Sequence, residues 1–182
     1  MSLIAKIRLF FLKKAIKKEV GKLKRNVQIF NLDEAKSFGV VYDASTENDF
    51  GRAASLIRHL QAQGKYVKSM GMAPYKVKPH YLPIKLSYHY ITLSELNWYR
   101  KPHGKFVDEF VNYEFDVLID LNLKGDESLR YISSLSKAKF KIGLFTEDYK
   151  DTYDFMLQGI EPDKVSLFIK EVLHYLEIFK SK

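Results

Sequence analysis

The chain contains no cysteine among its 182 residues. Disulfide bonds, a thiolate nucleophile and cysteine-ligated zinc are therefore excluded. No Asn-x-Ser/Thr sequon occurs either, so nothing in the sequence calls for secretion through a glycosylating pathway. These absences fit a reducing compartment, and we expect a cytoplasmic location.

Several signatures of small-molecule chemistry are also missing. Neither G-x-G-x-x-G nor G-x-x-x-x-G-K-[ST] occurs, which argues against a dinucleotide or P-loop site. The five histidines include no H-x-x-x-H pair, and there is no G-x-S-x-G elbow for a serine nucleophile. We therefore predict no catalytic residue, no cofactor and no metal ion, and we favour a protein that is not an enzyme.

Long apolar runs are absent as well. A membrane span needs about 20 consecutive apolar residues, and a signal peptide needs an apolar stretch of about 7–15. The longest apolar run near the N-terminus covers only residues 9–12, between Arg8 and Lys13. The protein is expected to be soluble or peripheral to a membrane.

The composition that remains is sufficient for a packed core. Hydrophobic residues make up 46% of the chain and aromatic residues 14%. A chain of this length fits one domain with an appendage. A change of character between residues 26 and 33 predicts the division, with a basic helix and hinge over residues 1–33 and one α/β domain over residues 34–182.

The positive charge is concentrated at one end. Residues 1–25 hold nine Lys/Arg and one acid, Glu19, whereas the other 157 residues hold 21 bases and 21 acids. The segment therefore carries the entire net charge of +8. This asymmetry bears on possible partners, because it favours anionic surfaces.

Residues 3–25 have the periodicity of a helix. An apolar stripe at steps of three or four is formed by Leu9, Leu12, Ile16, Val20 and Leu23, and a second apolar patch by Ile4, Ile7 and Phe11 lies roughly opposite. The candidate residues for an anionic surface are Lys13, Lys14, Lys17, Lys18, Lys22, Lys24 and Arg25.

Three interpretations of this helix stay open. It binds an anionic membrane surface, with Ile16 and Val20 facing acyl chains. It binds nucleic-acid phosphates, which is less favoured because no reading helix or RNA-binding signature accompanies it. It packs through its apolar stripe on the domain or on a second copy, with solvated lysines.

After residue 35 the pattern alternates between strands and helices. Two βαβ units, over residues 37–70 and 115–145, are separated by an excursion that contains Pro74, Pro79 and Pro83 and a short strand at residues 88–92. This pattern predicts an open, mostly parallel, doubly wound Rossmann-like sheet of five or six strands, in the order 3-2-1-4-5-6. Pro162 is expected in the first turn of a final helix.

Ligands of such sheets bind beyond the carboxyl ends of the strands, where the strand order reverses. The candidate residues for this crevice are Asp43, Ser45, Thr46, Asp120, Asn122 and Thr146. Two carboxylates there suit Mg²⁺ or a sugar. The same residue types also cap helices, and Ser45 or Thr46 with Asp49 is a capping pattern.

Aromatic and basic residues interleave in the excursion. They include Tyr75, Tyr81, Tyr88, Tyr90, Trp98 and Tyr99, with Lys76, Lys78, Lys85, Arg100 and Lys101 between them. Such rings stack on bases or sugars, or cover one edge of a sheet.

Several runs carry a resemblance. FDVLIDLNL at 115–123, ISSLSKAKFKIG at 132–143, LNWYRKP at 96–102 and YDFML at 153–157 are found together. With them the chain resembles a family of uncharacterised proteins of Bacteroidetes bacteria, which implies a fold but no activity.

Two better-known groups share parts of the pattern. Residues 115–143 resemble one βαβ unit of heptosyltransferase-type glycosyltransferases, which use two Rossmann-like domains where this chain has room for one. Acids after the first and fourth strands, with Thr146 after the fifth, are similar to receiver domains, which implies Asp120 as a phosphoacceptor.

We therefore expect a non-enzymatic α/β binding or scaffold protein, attached to the inner membrane surface or self-associating through residues 3–25. The alternatives are a small enzyme or a phosphate- or metal-dependent sensor that uses the acids of the crevice, and a nucleic-acid-associated protein.

Overall fold

The computed structural model describes residues 2–179, in which strands and helices alternate. The strands are β1 (Ser37–Asp43), β2 (Tyr66–Met72), β3 (Tyr88–Ile91), β4 (Val117–Asp120), β5 (Phe140–Leu144) and β6 (Phe155–Leu157). The helices are α1 (Leu3–Val20), α2 (Glu47–Ala62), α3 (Lys105–Asn112), α4 (Glu127–Leu135) and α5 (Val165–Ile178). All six strands pair in parallel in the order β3-β2-β1-β4-β5-β6, which confirms the predicted fold class and strand order.

The helices cover both faces of the sheet, as a parallel sheet requires. One apolar core joins α2 and α5 to the sheet, and a second core joins α1, α3 and α4 to the opposite face. Successive residues of β1 contribute to opposite cores, Val40 to the first and Val41 to the second. This explains why β1 reads as a continuous apolar run and not as an alternating one.

Gly39 in β1 lets two large side chains approach the sheet. A Cβ at this position would lie 2.7 Å from Leu118 and 2.8 Å from Phe115. Both side chains are completely buried. A glycine inside a strand therefore marks close packing here, as such glycines often do.

Helix α1 is docked against the domain. Leu12 and Ile16 are buried in the second core, and the helix packs mainly on α4. The longer of the two predicted apolar stripes is thus the packing face. The expectation that Ile16 faces acyl chains is wrong, because the domain already covers that side chain.

Two element boundaries differ from the sequence-based expectation. Helix α1 ends at Val20 with Gly21 as its C-terminal cap, because glycine is a poor helix former. Helix α5 begins at Val165, after a turn that contains Pro162, so this proline lies before the helix and not in its first turn. The predicted cap of α2 is confirmed, since the hydroxyl of Thr46 accepts from the amide of Asp49 at 3.1 Å.

Candidate functional site

The carboxyl ends of β1 and β4 meet where the strand order reverses. A lysine lies between the acids on the β1 side of this crevice. The Lys124 ammonium donates to Asp43 at 2.9 Å and to Asp49 at 2.7 Å. Burial raises the pKa of Asp49, but hydrogen bonds from Lys124 and Thr46 outweigh it and hold the pKa below its ordinary value. Both carboxylates therefore already have a cationic partner within the protein.

The hydroxyl side chains after β1 serve the turn. Asp43 accepts from the amide of Ser45 at 2.8 Å, which fixes the turn out of the strand. The Thr46 hydroxyl donates to Asp49 at 2.8 Å while it caps α2. The carboxylate of Asp49 also accepts from Arg52 at 3.1 Å. This geometry supports helix capping as the role of these residues.

Asp120 lies deeper, at the end of β4. Its carboxylate accepts from the Tyr153 hydroxyl at 2.6 Å and from the amide of Asn122 at 2.8 Å. Burial raises the pKa of Asp120, and hydrogen bonds oppose that rise only in part. Burial likewise raises the pKa of Tyr153 well above its ordinary value. The pair is enclosed by protein, since Asp120 is 2% and Tyr153 7% exposed.

The remaining predicted residues of the crevice have partners of their own. Asn122 donates to the carbonyl of Asp126 and accepts from its amide, both at 2.8 Å, which closes the turn before α4. Thr146 accepts from Arg130 at 3.4 Å, and that guanidinium lies 4.4 Å from the centroid of the Tyr149 ring. Within residues 2–179 no group of three or more His, Asp or Glu side chains is arranged to hold a metal ion.

The structure thus brings the six predicted residues to one edge but divides them: Asp43, Ser45 and Thr46 lie on the Lys124 side, Asp120 and Asn122 are buried, and Thr146 contacts Arg130. Lys124, which the sequence places in the turn after β4, and Tyr153 are not among the six predicted residues, yet they are the side chains that pair with the acids. The sequence carries one signal for Tyr153, the glycine at position 143 within a predicted strand. In the structure a Cβ at Gly143 would lie 2.5 Å from the Tyr153 ring, so the glycine makes room for that ring.

Helix α1 presents a second surface to solvent. We define its outer face as the large exposed apolar side chains on the side of the helix opposite Leu12 and Ile16. These are Leu3, Ile4, Ile7, Phe10 and Phe11, all of them exposed. Leu3 is 73% and Phe10 63% exposed. A helix on a protein surface usually turns polar side chains to solvent, whereas the solvent side of this helix is apolar in its first half.

The predicted basic residues of α1 and the following turn fall into two groups. Lys13 donates to Asp148 at 2.6 Å, and Arg25 forms a two-pronged ion pair with Asp154 at 2.8 and 2.5 Å. The other five candidates have no side-chain hydrogen bond or ion pair to any residue between 2 and 179. They are Lys14, Lys17, Lys18, Lys22 and Lys24.

An aromatic side chain from the excursion lies beside the outer face. The ring of Trp98 lies 5.1 Å from that of Phe11 and is 58% exposed. The loop around it is held to α1 by Lys101, which donates to Glu19 at 2.6 Å. The aromatic residues of the excursion therefore lie in two places. Trp98 lies beside α1, whereas Tyr88 and Tyr90 belong to β3 at the edge of the sheet.

Comparisons with known proteins identify one family and one distantly similar structure. A model described as a family of unknown function (DUF6913) matches residues 8–179. No curated protein is significantly similar to the chain. A crystal structure of an exopolyphosphatase-related protein from Bacteroides fragilis is similar at 17% identity and a TM-score of 0.42, over 79% of this chain and 42% of that one. The chain spans less than half of the length of that protein. No helix within the described range is long and apolar enough to cross a membrane.

Proposed function

This chain belongs to DUF6913, a family of unknown function, and from that premise we propose that it is a non-enzymatic binding protein that attaches to anionic membrane surfaces through α1. The observation that carries the proposal is the outer face of α1. It is apolar in its N-terminal half, although the helix already buries its other apolar stripe in the domain.

The charge around this face supports the same partner. Lys6 and Arg8 lie among the apolar residues, and Lys14, Lys17 and Lys18 follow them along the helix. The one acid of the helix, Glu19, is held by Lys101 and by the hydroxyl of Tyr131 at 2.6 Å. Each basic residue near an anionic leaflet contributes about 1 kcal/mol, and inserted apolar side chains add to this.

Trp98 extends the surface beyond the helix. Tryptophan favours the boundary between headgroups and acyl chains, because its ring is apolar and its N–H is polar. Its contact with Phe11 places it at the side of the outer face. The membrane-facing surface that we propose therefore includes both α1 and the loop at residues 96–102.

We propose no catalytic role because the acids of the crevice already have partners within the protein. Asp43 and Asp49 are paired with Lys124, and Asp120 is enclosed with Tyr153.

We further propose that residues 1–33 are the attachment unit and residues 34–182 the domain that recruits a partner. The setting we propose is the cytoplasmic side of the inner membrane of Bacteroidetes bacteria. The likeness of residues 115–143 to a glycosyltransferase unit concerns the β4–α4–β5 segment alone.

The test is sedimentation of the full chain with vesicles of phosphatidylcholine, with and without phosphatidylglycerol. We expect binding only with the anionic lipid, and a loss of at least about tenfold in the double variant Ile7→Asp/Phe10→Asp, since each side chain is worth about 1.5–3 kcal/mol when fully buried. The matched control is Leu167→Asp/Ile178→Asp, two exposed apolar residues of α5 in the opposite helix layer. We expect the control to bind like the wild type.

A second pair of variants tests the charge. Lys14→Glu/Lys18→Glu is expected to weaken vesicle binding, whereas Lys76→Glu/Lys170→Glu, two exposed lysines away from α1, is not. Equal binding by all four double variants would refute the proposal. A dimer in light scattering that Ile7→Asp/Phe10→Asp dissociates, without vesicle binding by the wild type, would assign the outer face to self-association. Retention on DNA that falls steeply with salt, again without vesicle binding, would favour nucleic acid.

A further inference from the structure

A large groove opens at the β3 edge of the sheet, in a different part of the molecule from the outer face of α1. Its volume is about 930 Å³, and its walls come from β2, β3, the start of α3 and the chain before β3. This volume falls in the range of ligand sites, which is about 300–1,000 Å³. The groove forms because β3 pairs only with the second half of β2, from Ser69 onward, so the first half of β2 has no neighbour on that side.

The lining is mainly apolar and partly exposed. Ile84 is 91% exposed and Leu86 is fully exposed, and both lie in the segment just before β3. Phe106 in the first turn of α3 is half exposed and packs edge-on against His89, with the ring centroids 3.6 Å apart. Neighbouring apolar side chains left in water at a concave site indicate a surface that is covered when the protein works.

The charges of the groove are unbalanced. Four lysines line it: Lys65, Lys68, Lys78 and Lys85. The two acids of the lining already have partners, since Glu95 accepts from the amide of Thr92 at 2.9 Å and Glu109 pairs with Lys105 at 3.7 Å.

None of the four lysines has a carboxylate partner within the part of the chain that the structure describes. Lys65 donates to the carbonyl of Asp33 at 3.0 Å, Lys78 donates to that of Leu82, and Lys68 lies 5.3 Å from the centroid of the Tyr113 ring. These contacts position the ammonium groups without neutralising them. The side chain of Lys85 has no hydrogen bond or ion pair among residues 2–179.

We propose that this groove binds a single-chain amphipathic anion, an acyl chain that carries a carboxylate or phosphate head. The apolar wall formed by Ile84, Leu86 and Phe106 takes the chain, and the lysines take the head group. His89 lines the same groove, and its Nε2 is buried without a hydrogen-bond partner in the described structure. This inference is independent of the attachment proposed for α1, because the two surfaces share no residue.

The experiment is calorimetric titration of the full chain with laurate and with dodecyl phosphate, each below the concentration at which it forms micelles. We expect saturable binding of one molecule per chain for both anions. Dodecyltrimethylammonium, with the same chain and the opposite charge, is expected to bind at least about tenfold more weakly. Each CH₂ removed from the chain is expected to lower the affinity about fourfold, which corresponds to ~0.8 kcal/mol.

Two matched pairs of variants locate the site. Lys85→Glu is expected to lower the affinity for both anions about fivefold to tenfold, because a favourable charge becomes a repulsive one, while Lys76→Glu in the same loop leaves it unchanged. Ile84→Asp is expected to weaken binding, whereas Val77→Asp, also exposed but outside the groove, is not. All four positions are at the surface, so the folded state is expected to survive each change.

The result separates this inference from the membrane proposal. Anion binding that persists in Ile7→Asp/Phe10→Asp but falls in Lys85→Glu supports the groove. No saturable binding, equal binding of the cationic amphiphile, or equal affinity of Lys85→Glu and Lys76→Glu would overturn it. If the groove instead holds an extended acidic peptide, paired with the half of β2 before Ser69, the titrations would show no saturable binding of the amphiphiles. Laurate and dodecyl phosphate do not show whether the natural anion is a free fatty acid or a lipid with a phosphate head group. Lysophosphatidic acid in the same titration distinguishes the two.

Discussion

Lys141 is the second residue of β5 and is buried, with a relative exposure of 1%. Its ammonium donates to the carbonyl of Ser134 at 3.0 Å. Burial lowers the pKa of this lysine from 10.5 to about 7, with a smaller contribution from the Arg25 charge, while Asp154 acts in the opposite direction. The folded protein therefore holds a lysine that loses its proton near neutral pH.

The change Lys141→Met removes this titration. Between pH 7 and 10.5 the unfolded wild type binds one proton more at this site than the folded protein, so the free energy of unfolding rises with pH. The slope from this group is about 1.36 kcal/mol per pH unit, or on the order of 4–5 kcal/mol over the whole interval. The penalty is complete below pH 7 and vanishes as the pH approaches 10.5.

Methionine fills a similar volume without a charge, but it leaves the carbonyl of Ser134 without this donor, at a cost of about 1–3 kcal/mol. We therefore expect Lys141→Met to be more stable than the wild type near pH 6 and to lose that advantage as the pH rises towards 9. The measurement is urea unfolding followed by circular dichroism across this range. Lys170→Met, at an exposed position of α5, serves as the control.

The difference in unfolding free energy between wild type and Lys141→Met must change with pH for this reasoning to hold. A constant difference would show that the pKa of Lys141 in the folded protein is close to its ordinary value. The free energy of unfolding of the control, Lys170→Met, is expected to differ from that of the wild type by the same amount at every pH.

Three further predictions concern the packing and the crevice. Leu12→Ala is expected to lower the free energy of unfolding by about 2–5 kcal/mol, because it leaves a cavity under α1, while Phe10→Ala changes it by less than about 0.5 kcal/mol; urea unfolding measures both. Gly143→Ala is expected to cost about 1–3 kcal/mol, since the new methyl group displaces the Tyr153 ring, and near-ultraviolet circular dichroism reports that displacement. Thermal unfolding of the wild type is expected to be insensitive to Mg²⁺ because the Lys124 ammonium already bridges Asp43 and Asp49; a stabilisation by Mg²⁺ that Asp120→Asn abolishes would refute this and favour a metal-dependent sensor.

Much of the fold follows from local pattern. The two βαβ units and the excursion between them predict the sheet and its order, because parallel strands need helical crossovers and the order reverses where the second unit begins. The cap of α2 at Thr46 is predictable for the same local reason. Such features depend on residues only a few positions apart.

The contacts of the crevice depend on residues far apart in sequence, so pattern alone does not reveal them. Lys124 reaches Asp43 and Asp49 across 81 and 75 positions, and Tyr153 reaches Asp120 across 33. Nothing local to Asp43 or Asp120 distinguishes an open metal ligand from a carboxylate with a protein partner. The six predicted residues lie at the carboxyl edge of the sheet, as the strand pattern predicts, but their contacts are made with these distant partners.

Helix α1 illustrates a similar limit. Its sequence has two apolar sides, and either one satisfies the periodicity of a docked helix. The stripe that contains Leu12 and Ile16 is buried because it meets α4, and this leaves Ile7 and Phe10 in solvent. Which side faces the domain is a tertiary property, and the choice determines which side chains are available to a partner.

The most direct test of the membrane proposal uses the single tryptophan of the chain as its reporter. Trp98 is exposed in the described structure and contacts Phe11 at the side of the outer face. With vesicles that contain phosphatidylglycerol, we predict a blue shift of its emission and quenching by brominated acyl chains, both absent with phosphatidylcholine alone. Unchanged emission and no quenching, while the protein sediments with the same vesicles, would contradict attachment through this face.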